Sequence, residues 1–273
     1  MEKNLQPNQK SPRDYWARLI LSRQNPNFWM TEEYVGLAGL EWAQEGDLWG
    51  WREKDQPEWF LPPMGPTGFQ LDQPIWAGFP SHLLPPIGCQ LLDHQYIYDA
   101  WAFLSLDGPQ WRTFRKNIRK YPNRVKGHLE YHRLSDHESE DEIAQMITTW
   151  AEGRVVYDPE VMVAFLLMGS LRWGLFLDGR LVGVNVADAT YIHGVYRYCM
   201  DDGTPFLNEY LRWCFYTSPW AQEHRWINDG GDLNNPQLEA FKRKLNPYMV
   251  ENVYHHNLPN PQEEIPHGPL HQA

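Results

Sequence analysis

Residues 171–177 and 180–187 are apolar, β-rich runs separated only by Asp178-Gly179. A two-residue Asp-Gly connection takes positive φ at both positions and matches the twist of the strands it joins, so the pair reads as a β-hairpin. A third run, 192–200, follows at once and extends the hairpin into an antiparallel meander. Helical periodicity flanks it on both sides. Upstream, the alternating segment 128–134 reads as a strand. Ser139 and Glu142 then form a capping-box pair, and Ile143, Met146, Ile147 and Trp150 fall on one helix face. Asp158-Pro159 opens a second helix, apolar all round, that stops at Gly169. Downstream, Thr204-Pro205 reads as the cap and first position of a helix running to about Phe215, and 225–229 as a short strand. A helix from Pro236 to about Leu245 ends at Asn246-Pro247, and 250–255 is the last strand. The order over 128–256 is β α α β β β α β α β, an α+β arrangement, because a doubly wound sheet alternates more strictly.

The first half is less regular. Residues 13–22 read as a helix, 48–52 and 59–61 as the arms of a hairpin around 53–58, and 101–106 as a helical stretch ending at Asp107-Gly108. Proline pairs at 62–63 and 85–86 mark loops. With 14 Trp in 273 residues, most indoles are expected in the core, and a groove lined by some of them is the lesser alternative.

Charge is uneven. The formal net charge is −11, which argues against a surface that binds nucleic acid everywhere. Yet residues 112–126 hold seven basic side chains and no acid, and setting them aside leaves −18. On a helix, Arg112, Arg115, Lys116, Arg119 and Lys120 lie three and four positions apart, a stripe suited to successive phosphates and the best nucleic-acid-binding candidate in the chain. The bland alternative is a solvated face, or pairing with the acidic segment 136–142. No run of about 18 apolar residues and no apolar leader is present, so the expectation is a soluble, cytoplasmic protein without an integral membrane segment. Cys89, Cys199 and Cys214 are widely spaced and form no C-x-x-C pair, and His255-His256 has no ligand spacing with nearby acids, so no metal site is expected.

The element order is that of the Gcn5-related N-acetyltransferase (GNAT) fold, and two motifs narrow it. Tyr98-Asp99 through Leu104, Leu106 and Gly108, followed by the basic run from Trp111 to Tyr121, resembles a segment of the phosphatidylglycerol lysyltransferase C-terminal family in which a Leu-x-Gly element precedes a Lys/Arg-rich helix. Ile227-Asn228-Asp229-Gly230-Gly231-Asp232-Leu233, then Leu238, Phe241-Lys242 and Pro247, is similar to that family's Asn-x-x-Asp-Leu-Gly, Leu and Lys spacing before a Pro. This chain has Asn234 where the family places Gly, and Leu245-Asn246 where it places Ser-Tyr. The resemblance covers about residues 96–256. It implies two adjacent acetyltransferase-like domains, each with a mixed, largely antiparallel sheet: a less regular half over 1–126, a second domain over 127–258 and a loose tail over 259–273. It also implies transfer of an aminoacyl group from tRNA to a small-molecule, peptide or lipid acceptor.

Such a transfer needs an amine or hydroxyl nucleophile to lose a proton and an oxyanion to be stabilised. Asp229 and Asp232 at a strand end, with Lys242 on the following helix, are the catalytic candidates; either Asp could instead hold the donor's α-ammonium group. The bland readings are a turn residue for Asp232 and an exposed Lys242 paired with Glu239. Asn228, His193, Tyr196 and Tyr198 are substrate-binding candidates; strict alternation pairs Tyr196 with Tyr198 and puts His193 opposite unless a bulge intervenes. The absence of a G-x-S-x-G motif favours direct attack over an acyl-enzyme. No cofactor is expected beyond the donor. The segment Asp201-Asp202-Gly203-Thr204-Pro205 would greet a pyrophosphate with two carboxylates and a residue lacking N–H, which counts against acyl-CoA. An acyl-CoA-dependent N-acyltransferase and an inactive RNA- or ligand-binding protein are the alternatives.

Overall fold

The computed structural model describes residues 40–70, 73, 75–80, 90–135, 140–151, 171–189, 194–232 and 234–256. The expected helices over 13–22 and 158–169, the loop at 85–86 and the tail beyond 258 lie outside the described residues. The chain divides into two units, 1–92 with 252–259, and 93–251 with 260–273.

In the first unit, β1 (Leu40–Glu45), β2 (Leu48–Glu53), β3 (Met64–Gly65) and β4 (Gly68–Phe69) form a four-stranded sheet in that order. The hairpin differs from the expected one. Residues 48–53 pair backward with 40–45 because Gly46, at φ 57°, supplies the tight turn between them. Residues 59–61 are buried and form no strand, Trp59 making only a single bridge, although Phe60 N–H does donate to Trp51 O at 2.7 Å. Trp42 packs against Trp49 and Trp51, and Trp49 and Trp59 are buried, so the described tryptophans of this sheet build much of its apolar cover. In the same unit β5 (Ile75–Pro80) pairs antiparallel with residues 253–256 of the last strand.

The second unit follows the α+β order: β6 (Gln90–Asp99, in this unit from residue 93), α1 (Ala102–Ser105), a 3₁₀ turn at Pro109–Trp111, α2 (Arg112–Val125), β7 (Leu129–Arg133), α3 (Glu140–Ala151), β8 (Leu171–Leu177), β9 (Arg180–Ala189), β10 (Gly194–Asp201), α4 (Leu207–Tyr216), α5 (Pro219–His224), β11 (Trp226–Asn228), α6 (Pro236–Lys244) and β12 (Met249–His256, in this unit up to residue 251). The sheet order here is β12-β6-β11-β10-β9-β8-β7. The meander β8-β9-β10 is antiparallel, with Asp178 at φ 50° and Gly179 at φ 80°, the conformation an Asp-Gly hairpin requires. Helix α2, within the expected N-terminal half, belongs to this second unit, where Asn117 bonds Glu209 of α4.

Side chains alternate across the sheet, so each face has its own cover. Ile143 and Ile147 of α3 pack on Val184 and Val186. Tyr121 of α2 and Leu207 and Leu211 of α4 pack on Leu175 and Val182. Two helix starts depart from expectation, those of α4 and α5, while α6 begins at Pro236 as expected. Helix α4 begins at Leu207, after Phe206 in the left-handed region, because the Asp202 carboxylate accepts the Thr204 N–H and holds 202–204 in a turn. Helix α5, absent from the sequence reading, is started by the Ser218 hydroxyl accepting from Ala221 N–H, with Pro219 at its first position. Asn235, immediately before Pro236, caps α6 through Gln237 and Leu238 N–H.

The parallel pair β10 and β11 is joined at only two positions, Gly194 to Ile227 and Val195 to Asn228. Beyond them β11 ends while β10 runs on to Asp201. The loop leaving the carboxyl end of β11 carries Asp229 to Asp232.

Candidate active site

Asp229 follows β11 directly and is anchored by its own backbone, its N–H donating to Tyr96 O at 2.8 Å. Its side chain is 2% exposed and surrounded by donors. Arg212 Nη1 of α4 pairs with Oδ2, which also accepts the Tyr216 hydroxyl at 2.7 Å. Lys242 Nζ of α6 lies 3.2 Å from Oδ1 and donates to the Asp229 carbonyl as well. One carboxylate thus balances two buried cations. Burial pulls the Lys242 ammonium below its ordinary pKa, and the Asp229 charge opposes that shift. Burial, then the same negative charge, pushes Tyr98 and Tyr216 up, so both stay protonated. The Tyr98 hydroxyl donates to Lys242 O at 2.8 Å, pinning α6 to β6, and Phe103 stacks on Tyr216 at 4.2 Å.

Asp232 is equally buried but differently engaged. Its Oδ1 accepts Asn234 N–H at 3.0 Å, which is the turn role expected of an Asp in such a loop. Oδ2 faces β6, where the Tyr96 hydroxyl donates at 2.5 Å and His94 Nδ1 lies at 3.1 Å. Burial and then Asp232 raise the Tyr96 pKa, so Tyr96 remains a donor. The His94 side chain is 22% exposed and Asp232 only 1%. The relay therefore runs from a buried acid to an accessible imidazole. Asp93 accepts the N–H groups of His94 and Asp232 on Oδ1, at 2.8 and 3.0 Å, tying the two segments together. A Cβ on Gly231 would lie 1.5 Å from Asp93 Oδ2, so only glycine admits this approach. Lys242 Nζ sits 5.5 Å above the Tyr96 ring, linking both halves of the cluster. Asp93, His94 and Asp232 each place a ligand-type atom within 4.8 Å of the others, the described residues best arranged to hold a cation. Both Asp232 oxygens and Asp93 Oδ1 already accept protein hydrogen bonds, so the trio works as a hydrogen-bonded relay as it stands.

Asp229, Asp232 and Lys242 therefore come together, and Lys242 is not the exposed partner of Glu239, a place Arg243 takes at 2.7 Å. Asn228 is buried beside them, its Oδ1 accepting Gly230 N–H. Tyr196 and Tyr198 lie on β10 across a register shift, opposite the consecutive residues Ala187 and Val186, so simple alternation does not run between them. His193 is outside the described residues. Sequence reasoning passed over Asp93, His94, Tyr96, Arg212 and Tyr216; the available signal was His94, Tyr96 and Tyr98 at period two in one strand.

The basic residues divide into two kinds. Arg112, Lys116 and Arg119 are exposed on one face of α2 and make no ion pair among the described residues. Arg115 turns inward to the carbonyls of Leu106 and Gly108, closing the end of α1, and Lys120 sits over the Phe206 ring at 4.3 Å. A second surface feature is unforeseen. Arg225 lies between Trp101, at 4.1 Å, and Trp226, at 4.6 Å, and Trp226 packs on Tyr248 at 4.4 Å. Trp101 and Tyr248 are 50% and 67% exposed. Asn246 reaches Gln110 O at 3.4 Å, joining the Tyr248 loop to the approach of α2.

In the loop after β10, the Asp201 and Asp202 carboxylates accept the N–H groups of Gly203 and Thr204 at 2.9 and 3.0 Å. The amides that could receive a phosphate there are filled by the chain's own acids.

These features define a GNAT-like α+β protein with a buried acid and cation cluster at the end of the parallel strand pair. No protein-family model and no curated protein matches the chain. Solved structures share its fold. A conserved protein of unknown function from Bacteroides thetaiotaomicron superposes with a TM-score of 0.70 at 14% identity, covering 89% of this chain and 95% of that one. The L-PGS structure from Bacillus licheniformis gives 0.60 at 13% identity, covering 92% and 94%. The C-terminal DUF2156 domain of a putative lysylphosphatidylglycerol synthetase from Agrobacterium fabrum gives 0.60 at 14% identity, covering 82% and 86%. Among the described residues no helix is long and apolar enough to cross a membrane.

Proposed function

We propose that this chain is an acyltransferase that moves an aminoacyl group from aminoacyl-tRNA to an amine or hydroxyl acceptor by direct attack. The observation that carries the reading is the His94–Asp232 pair: an accessible imidazole oriented by a buried acid that is itself fixed by Tyr96. With the proton on Nδ1, bonded to Asp232, Nε2 is left as the base. It removes a proton from the acceptor as the acceptor attacks the acyl carbon. The new amide or ester bond forms, the ester to the terminal ribose breaks, and the proton passes to the departing oxygen. Asp232 acts through His94 as a positioning residue. Lys242 and Arg212, held by Asp229, set a positive field beside the site that favours developing oxyanion charge.

The donor assignment rests on three further features. The exposed stripe Arg112, Lys116 and Arg119 suits a phosphate backbone. The Trp101–Arg225–Trp226–Tyr248 stack suits unpaired bases, which every nucleotide offers as a π-face. The filled amides at Gly203 and Thr204 leave acyl-CoA without its usual anion cradle. Thermal melting compares the donors: aminoacyl-tRNA is expected to raise the midpoint and acetyl- or longer acyl-CoA to leave it unchanged. A shift with acyl-CoA alone would overturn the donor assignment.

A further inference from the structure

The second unit also holds a cleft of about 510 Å³ that shares no residue with the Asp229–Asp232 cluster, within the ~300–1,000 Å³ span of small-ligand sites. Helix α4 separates the two: Arg212 and Tyr216 serve the cluster, while Trp213, Cys214 and Thr217 face the cleft. Trp173 of β8 and Trp220 of α5, rings 5.4 Å apart, form one wall, and Tyr131 stands across from α4 on β7. Trp220 is seated against Gly194, where a Cβ would come within 2.8 Å of its ring, so the wall is fixed to the start of β10.

The polarity of this cleft is one-sided. Its hydroxyl side chains are committed to helix ends, Thr217 donating to Trp213 O at 2.7 Å and Ser218 accepting from Ala221 N–H. The groups left over are donors. The indole N–H groups of Trp173, Trp213 and Trp220 make no hydrogen bond among the described residues, and none is a fully buried atom left unsatisfied, so solvent or a ligand can reach them. The Tyr131 oxygen accepts from Asn185 at 2.9 Å, which leaves its own proton to give. Arg133 at the edge is exposed and has no acidic partner among the described residues, and no Asp or Glu lines the cleft. Burial pushes the Cys214 thiol up to about 12, so it is a neutral wall and not a nucleophile.

Aromatic walls, spare donors and an unpaired guanidinium complement an apolar molecule that ends in an anion. We propose that this cleft is a second ligand site, for a hydrophobic carboxylate whose body lies against Trp173 and Trp220 and whose carboxylate faces Arg133. The site is independent of the transfer reaction and stands whether or not that reaction is found.

Calorimetric titration of the full chain tests it with octanoate and phenylpropionate, each against its uncharged alcohol, octanol or phenylpropanol. Saturable binding at one site per chain is expected, with each acid about tenfold tighter than its alcohol. The tighter acid identifies the body as a chain or a ring. Arg133→Ala, at an exposed position that should not disturb folding, is expected to abolish the acid preference and leave alcohol binding intact; Arg124→Ala, exposed on α2, controls for general charge. No saturable binding of either acid, equal binding of acid and alcohol, or a preference that survives Arg133→Ala would overturn the proposal.

Discussion

Asp229 and Asp232 are three residues apart and hold different duties. Every oxygen of Asp229 faces a buried donor, so its removal strands Arg212 and Lys242 as unbalanced charges. Asp229→Asn is expected to cost about 3–5 kcal/mol of stability, read by urea unfolding. Asp232→Asn retains an oxygen for the Asn234 turn, so it should fold, with kcat lowered about 10²–10⁴-fold and KM little changed. A large rise in KM with kcat intact would instead place Asp232 in ammonium binding. The sequence made this trio visible because Asp229, Asp232 and Lys242 sit within one strand–loop–helix stretch. His94 was not legible: its partner Asp232 is 138 residues away, and no local pattern joins a β6 position to the loop after β11.

At the scale of elements, the meander was readable from one dipeptide, since Asp178-Gly179 fixes the turn and hence the register of β8 and β9. The start of α4 was not, because Asp201 and Asp202 spend their carboxylates on a turn that delays the helix past Pro205. Helix α5 had its Ser-Pro signal but only six residues, too few for periodicity to register. The stripe on α2 was legible as charge alone; which cations are free depends on tertiary contacts. Arg112→Glu with Arg119→Glu should weaken tRNA binding and flatten its dependence on salt by about two units of slope, with the fold intact by circular dichroism. Arg115→Glu should lower the melting temperature as well, because it abandons the Leu106 and Gly108 carbonyls. Glu209 joins three helices, taking Lys244 at 2.7 Å and Asn117 at 3.0 Å. Burial alone would raise its pKa, but Lys244 and the Asn117 amide outweigh it and hold Glu209 below the ordinary value. Glu209→Gln is expected to cost about 1–3 kcal/mol.

For the whole molecule, the aromatic load that the sequence shows builds much of the described core, with Tyr98, Phe103, Trp111, Phe114 and Tyr216 in one cluster. That packing has a consequence for pH. Tyr96, Tyr98, Tyr121, Tyr131, Tyr210 and Tyr216 are all raised above the ordinary 10.0, chiefly by burial. The unfolded chain loses these protons first, so the stability they contribute is present below about pH 10 and is lost as pH rises beyond it. Lys242, lowered by burial, works the other way and gains as pH rises, but among the described residues it stands against six such tyrosines. Urea midpoints should therefore drop sharply between about pH 10 and about pH 12; a flat profile would contradict the buried, protonated tyrosines. The α+β class and the GNAT-like order were legible from 128–256. The contribution of β6 was not, because this strand from outside that segment lies between β11 and β12 and brings His94 and Tyr96 to the site.

The central claim is direct transfer from charged tRNA with His94 as the base, and a single-turnover assay with labelled aminoacyl-tRNA and amine or hydroxyl acceptors tests it most directly. Wild-type protein should move the label to an acceptor, and His94→Ala should do so about 10²–10⁴-fold more slowly at unchanged tRNA affinity. No transfer from any charged tRNA, or a His94→Ala variant as fast as wild type, would contradict the account.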